Sequence, residues 1–237
     1  MKKLLSMLLV LTMAIAMLTL VACKPAEEPE DDGVMTHAEF VAAEDGTVVT
    51  IEAYVQAKQG WWDNKITLYL QDREGGYFVY NLPCSETDAA KLTVGTKIRI
   101  TGEKNPWAGL NEINDPAATF EFVKDADTFV ATAFDATSIL DNEAELIKHQ
   151  TELVTFKGLT VVSVAYKSTV ANDDIYVTVK LADGEEHSFC VEVYLTGPST
   201  EVYQTALALE AGDVIDVEGF LYWYEGVNTH ITAITVK

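Results

Sequence analysis

From Val48 onward the apolar positions recur every second residue, which is the period of a strand and not of a helix. Val49, Ile51, Ala53 and Val55 alternate with Thr50, Glu52, Tyr54 and Gln56. Ile66, Leu68 and Leu70 alternate in the same way with Thr67, Tyr69 and Gln71, and the "DREGG" turn starting at Asp72 sends the chain back through "YFVYN" as a hairpin. Ser85-Glu86-Thr87-Asp88 has the form of a helix start, and Gly95 limits that helix to a few residues, ending near Leu92. A fourth strand is predicted from Lys97 to Lys104 with Ile98 and Ile100 inward, and a fifth between Asn111 and Val123.

The same order returns further along. Strands are expected at Leu153 to Val164, Ile175 to Leu181, His187 to Leu195, Asp213 to Trp223 and Thr229 to Val236, with a turn at Asp183-Gly184 and a helix from Ser199 to Leu209. The repeat is visible residue by residue. Gly95, Gly102 and Gly109 in "VGTKIRITGEKNPWAGLNEI" are spaced by seven, as are Gly212, Gly219 and Gly226 in "AGDVIDVEGFLYWYEGVNTHI", and "VVTIEAYV" from Val48 matches "LVTFKGLTV" from Leu153. Duplication of one unit explains this. "DATSILDNEAELIKHQ" reads as a turn-rich, partly helical connector, and "MTHAEFVAA" from Met35 as a short helix that plugs the first unit.

Five strands with a helix between the third and fourth is the order of an OB-fold, a partly open Greek-key barrel. The "VGTKIRITG" and "AGDVIDVEG" segments resemble the fourth strand of bacterial OB-fold domains, and the chain after residue 33 resembles lipoproteins carrying tandem copies of that domain. The expected fold class is all-β with short helices: two five-stranded OB-fold-like barrels at 34–124 and 148–237, joined by a connector at 125–147.

The first 22 residues have a different character. Lys2 and Lys3 precede the apolar run "LLSMLLVLTMAIAMLTLVA", the n- and h-regions of a secretory signal. Leu20-Val21-Ala22-Cys23 resembles the lipobox of bacterial lipoproteins, which implies cleavage before Cys23, lipid on its sulfur and a location on the outer face of a bacterial membrane. Residues 23–33, rich in proline and carboxylates, read as an extended acidic linker. Removing Lys2 and Lys3 takes the formal charge of the chain from −21 to −23. Such acidity repels phosphate polymers at long range, although a basic patch still acts within a Debye length of ~8 Å.

OB barrels usually bind across strands two and three, between the loops joining strands one to two and four to five. Those places hold Trp61, Trp62, Trp107 and Asn111 in the first unit, with Tyr69 and Gln71 on the outward side of its second strand; in the second unit they hold Tyr166, Tyr222, Trp223 and Tyr224. Aromatic rings beside amides and hydroxyls suit a sugar ring or a nucleobase, and the competing reading is that the rings cap barrel ends or pack between the units. Lys58, Lys65 and Lys104 near the first cluster are offset by Asp63, Glu103 and Glu112, which ranks nucleic acid below an oligosaccharide or extracellular protein partner. A purely structural role in the cell envelope is the third expectation.

No catalytic, cofactor or metal motif emerges. His37, His149, His187 and His230 lack ligand spacing and read as surface or pocket-edge side chains, and Asp173-Asp174 reads as a solvated loop. Cys84 and Cys190 read as small buried or half-buried thiols, with an interdomain disulfide left open. The expected protein is a monomeric, non-catalytic binding lipoprotein without a cofactor.

Overall fold

The alternation that begins at Val48 is realised as β1 (Val48–Lys58), whose Val49, Ile51, Ala53 and Val55 are buried. The computed structural model describes residues 33–237; Cys23, the apolar run before it and the linker up to residue 32 lie outside the described residues. Before β1, helix α1 (His37–Ala42) starts in a capping box formed by Thr36 and Glu39, and its Phe40 is fully buried in the first core, where it closes the barrel end.

In the first sheet β1 runs antiparallel to both β2 (Lys65–Gln71) and β4 (Lys97–Glu103), and β2 pairs with β3 (Gly76–Pro83). Helix α2 (Glu86–Lys91) separates β3 from β4 and begins at Ser85, whose side chain accepts from the Asp88 backbone. The fifth strand is broken into β5 (Glu112–Ile113) and β6 (Thr119–Phe122). Asp115 makes the break: its carboxylate accepts from the backbones of Glu103 and Ala117, and its carbonyl accepts from Ala118. On either side of it, β5 runs parallel to β3 and β6 antiparallel to β4, and a bridge between Lys104 and Ile113 closes the ring.

The second sheet closes in the same way. After β7 (Phe134–Asp135) and helix α3 (Glu143–Leu146), β8 (Leu153–Tyr166) pairs with β9 (Ile175–Lys180) and β11 (Val214–Phe220). β9 pairs with β10 (His187–Val191), and β12 (His230–Val236) runs antiparallel to β11 and parallel to β10. Strand three is shorter than its sequence predicts, because the Glu192 side chain caps the one-turn helix α4 (Val193–Thr196), which leads into α5 (Glu201–Ala208). Each ring therefore closes in the order one, two, three, five, four, one, which is the OB-fold.

The repeat extends to individual hydrogen bonds. Val49 lies opposite Gly102, as Val154 lies opposite Gly219. Gly95 donates its N–H to Val55 and Gly212 donates to Val161, at 2.8 and 2.9 Å. Both glycines have positive φ, +86° and +100°, at the turn into the fourth strand, where a side chain would be strained.

Alternation alone misjudges the outward face of the first barrel. Outward-pointing Tyr54 and Gln56 are covered by the connector: Tyr54 packs on Phe129, and Gln56 exchanges hydrogen bonds with the backbones of Phe129 and Ala131. Thr67, Tyr69 and Gln71 are buried as well. Tyr69, Phe78 and Leu110 belong to the core of the second barrel, and Val34–Lys237 forms one compact unit. Each large apolar side chain buried at this seam contributes ~1.5–3 kcal/mol. Cys84 and Cys190 are both buried and free.

Candidate ligand cleft between the two barrels

Corresponding loops of the two barrels meet. The loop joining β4 to β5 is a small hairpin closed by a Trp107–Leu110 bridge, and the loop joining β11 to β12 is closed by Trp223–Val227. Trp107 precedes Gly109 by two residues, as Tyr224 precedes Gly226. The loops lean on each other through a hydrogen bond from the Glu225 N–H to the Ala108 carbonyl (2.8 Å), with Trp223 packed beneath Gly109.

This contact brings Trp107, Tyr222 and Tyr224 to one cleft of about 410 Å³, together with Tyr80 from β3, Tyr176 from β9 and Tyr194 from α4. Trp107, Tyr80, Tyr194 and Tyr224 are exposed, so their faces are open to a ligand. Tyr222 is half-buried and stacks on His230 with centroids 4.0 Å apart and an interplanar angle of 16°. A groove of about 580 Å³ lined by Ala57, Leu195, Val202 and Ile234 has no aromatic wall, which makes the smaller cleft the better candidate.

The floor of the cleft is polar and organised. His230 shares a 2.6 Å hydrogen bond with the Tyr69 hydroxyl, and burial, reinforced by the nearby Lys167 charge, holds its pKa down to about 3. The imidazole is therefore neutral near pH 7. Glu192 accepts from the N–H groups of Tyr194 and Leu195 and from the Gln59 amide, yet burial, reinforced by the Asp174 charge, pushes its carboxyl up to about 7. Asp174 pairs with Lys167 at 2.9 Å and accepts from the Val193 N–H. Burial, with Asp174 as the main charge, also raises the Cys190 thiol, which leaves it protonated.

The other sequence-predicted residues lie elsewhere. Tyr69 and Gln71, expected to face a ligand, are buried instead: Tyr69 packs between Phe78 and Phe220, and Gln71 accepts from the Leu153 N–H across the seam. Trp223 is 3% exposed and belongs to the second core. Asn111 donates twice to the Gln150 side chain. Trp61 donates its indole N–H to the Cys84 carbonyl, while Trp62 stands 72% exposed with the Lys65 ammonium 5.9 Å from its ring; neither lines the cleft. Tyr166 is exposed outside it.

Three further expectations change. Lys104, grouped with exposed cations from the sequence, is buried and donates to the Val41 and Ala43 carbonyls, which anchors the end of α1. Asp174 is buried and ion-paired, not part of a solvated loop. His230 lines the cleft but is buried and stacked. Sequence reasoning also missed Tyr80, Tyr176 and Tyr194. Only Tyr176 carries a local signal, because inward Ile175, Val177 and Val179 turn it outward on the second barrel's counterpart of strand two.

The twice-repeated ring closure and the cleft between its loops define a tandem OB-fold chain. No family model and no curated protein sequence matches it. Among solved structures, the p204 HINb domain is 14% identical with a TM-score of 0.39, over 82% of this chain and 100% of that one. A replication protein A heterotrimer bound to single-stranded DNA is 14% identical with a TM-score of 0.30, over 78% of this chain and 50% of that one. Asparaginyl-tRNA synthetase from Pyrococcus horikoshii is 19% identical with a TM-score of 0.29; the match spans 36% of this chain and 19% of the synthetase. Strand pairing within the chain, not these distant likenesses, defines the fold.

Proposed function

We propose that this chain is a non-catalytic binding protein, held at a bacterial surface by lipid on Cys23, whose inter-barrel cleft takes flat rings with polar edges from an oligosaccharide. The observation that carries the reading is the convergence of Trp107, Tyr222 and Tyr224 with Tyr80, Tyr176 and Tyr194 on one cleft. Sugar rings offer an apolar face for such aromatics and hydroxyls for Gln59, Asn228 and Glu192. The Asp174 and Glu192 carboxylates disfavour a phosphate at the floor. Both are engaged by backbone N–H groups, a lysine or an amide, so they hold the cleft in shape and are not poised for proton transfer to a substrate.

Intrinsic tryptophan fluorescence of the full chain, titrated with a panel of oligosaccharides and with single-stranded oligonucleotides, tests the reading. A glycan that shifts the emission of the wild type but not of Trp107→Ala supports it; no response to any glycan overturns it. Labelling with a fatty acid tests the anchor: Cys23→Ser that labels as well as the wild type overturns that part.

A second reading, capture of single-stranded nucleic acid, is favoured by the exposed Trp62 ring with the Lys65 ammonium 5.9 Å away, the pairing of stacking face and cation that such strands use. A single-stranded oligonucleotide is the probe for this arm. It predicts an oligonucleotide affinity that falls as salt rises and that Trp62→Ala and Lys65→Ala both weaken.

A further inference from the structure

One polar atom at the floor of the cleft has nothing to bind. His230 is 8% exposed, and its ring is held on two sides: the Tyr69 hydroxyl meets Nδ1 at 2.6 Å, and the Tyr222 ring covers one face. The other nitrogen, Nε2, makes no hydrogen bond among the described residues. It is not sealed in either, because the side-chain polar atoms that are both sealed and unpaired there are Asn228 Oδ1 and Thr229 Oγ1. Nε2 therefore opens into the cleft that His230 lines. Polar atoms of buried side chains are nearly always paired, so this nitrogen is a place for a ligand atom.

Tyr69 decides whether that nitrogen carries a proton. It is fully buried, and burial raises its hydroxyl well above the ordinary tyrosine range, so the O–H stays intact. A sealed hydroxyl gives its proton to the acceptor within reach. Gln59 acts on the same oxygen as a donor, which leaves His230 Nδ1 as the acceptor. His230 is neutral near pH 7 and a neutral imidazole has a single N–H, so the proton sits on Nε2. The cleft floor thus offers a fixed N–H donor that carries no positive charge.

Such a donor selects among the groups a sugar can bring. An ammonium has only donors and meets another donor at Nε2. A carboxylate or phosphate accepts, but Asp174 and Glu192 share the floor and repel it. An acetamido carbonyl is neutral and accepts more strongly than a hydroxyl. Its N–H also suits the Gln59 carbonyl, which remains available once the Gln59 nitrogen donates to Glu192 at 3.1 Å. We propose that His230 is a specificity residue of the cleft, its Nε2–H donating to the acetamido carbonyl of an N-acetylated sugar ring stacked on the aromatic wall, with Tyr69 as the positioning residue that fixes the tautomer. This rests on the ring-binding function above and narrows its substrate class.

The test titrates the full chain with β-1,4-linked oligomers of N-acetylglucosamine, glucose and glucosamine of the same length, which differ only in the group at C2. The acetylated oligomer is expected to bind roughly tenfold or more tighter than either of the others. Proton–nitrogen correlation spectra of the histidine side chains read the donor directly, with His230 recognised as the ring still neutral at about pH 5. In the free chain its proton is expected on Nε2, and that signal is expected to shift when the acetylated oligomer is added. The double variant Tyr69→Phe, His230→Phe replaces both partners of one buried hydrogen bond by apolar rings of similar shape, so it is expected to fold and to lose the preference for the acetylated oligomer.

Equal binding of the acetylated oligomer and either of the others overturns the acetamido proposal while leaving ring binding standing. So does a proton found on Nδ1, an Nε2 signal that does not move in the saturated complex, or a folded double variant that keeps the preference. If the double variant does not fold, the wild-type spectra decide alone. A thymidine oligonucleotide that shifts the Nε2 signal and binds more tightly than the acetylated oligomer also overturns it, in favour of nucleic acid. Failure of all three oligomers while another glycan shifts the tryptophan emission overturns this proposal alone; failure of every glycan overturns it together with the ring-binding function.

Discussion

The two barrels share a topology, a glycine spacing and equivalent hydrogen bonds, yet they use the same face in opposite ways. On the first barrel the outward side of strand two, Thr67, Tyr69 and Gln71, is sealed, with Tyr69 and Gln71 pressed against the second barrel. On the second barrel the equivalent strand leaves Tyr176 half-exposed, lining the cleft. The repeat presents the same strand-two face twice. One became a seam that fixes the geometry, and the other was left free beside it.

The sharpest way to break this division is at the seam itself. A Cβ on Gly76 would lie 2.4 Å from the Thr151 carbonyl carbon and 2.5 Å from the Glu152 nitrogen, both main-chain atoms that cannot swing aside. Gly76→Ala is expected to destabilise the chain by more than ~3 kcal/mol in urea unfolding, whereas Gly60→Ala, with nothing within 4 Å, changes stability by less than ~0.5 kcal/mol.

Each barrel also holds one buried carboxyl that makes stability depend on pH. Burial pushes the Glu112 carboxyl of the first barrel up to about 7 from its ordinary 4.5, and Glu192 of the second is raised to about 7 by burial and by Asp174. Below pH 4.5 both are protonated, folded or unfolded. Between 4.5 and 7 the folded chain retains the extra protons, so stability falls as pH rises and levels off above 7. The loss is on the order of 3 kcal/mol per group. Glu112→Gln and Glu192→Gln are each expected to flatten part of that slope, as measured by urea midpoints between pH 5 and 7.5. Asp135, held at about 2 chiefly by Lys157, works in the opposite direction but only below pH 4, outside this window.

A smaller effect is expected from Tyr69→Phe, which keeps the ring and removes the hydroxyl shared with neutral, buried His230. Leaving that nitrogen unpaired costs ~1–3 kcal/mol of stability by urea unfolding. Trp107→Ala, an exposed loop change, is expected to alter stability by less than ~0.5 kcal/mol.

Much of the fold was legible because strands and turns obey local rules. The period-two runs at Val49–Val55 and Ile66–Leu70, the Ser85 cap and the paired seven-residue glycine spacings each mark an element without knowledge of the rest. The site was legible only in part. Alternation says that Tyr69 points outward, not what covers it, and the covering surface comes from residues more than 80 positions away, such as Leu153 and His230. Trp107 and Tyr222 belong to separate repeats, so no local pattern announces that they share a cleft. Glu192 and Asp174 look like ordinary acids in an acidic chain; only burial distinguishes them.

Calorimetric titration of the wild type and Trp107→Ala with the same oligosaccharide tests binding at the cleft. The variant is expected to fold with wild-type stability and to lose ~1–3 kcal/mol of affinity, the usual contribution of one stacking aromatic. An unchanged affinity in a stably folded Trp107→Ala would contradict it.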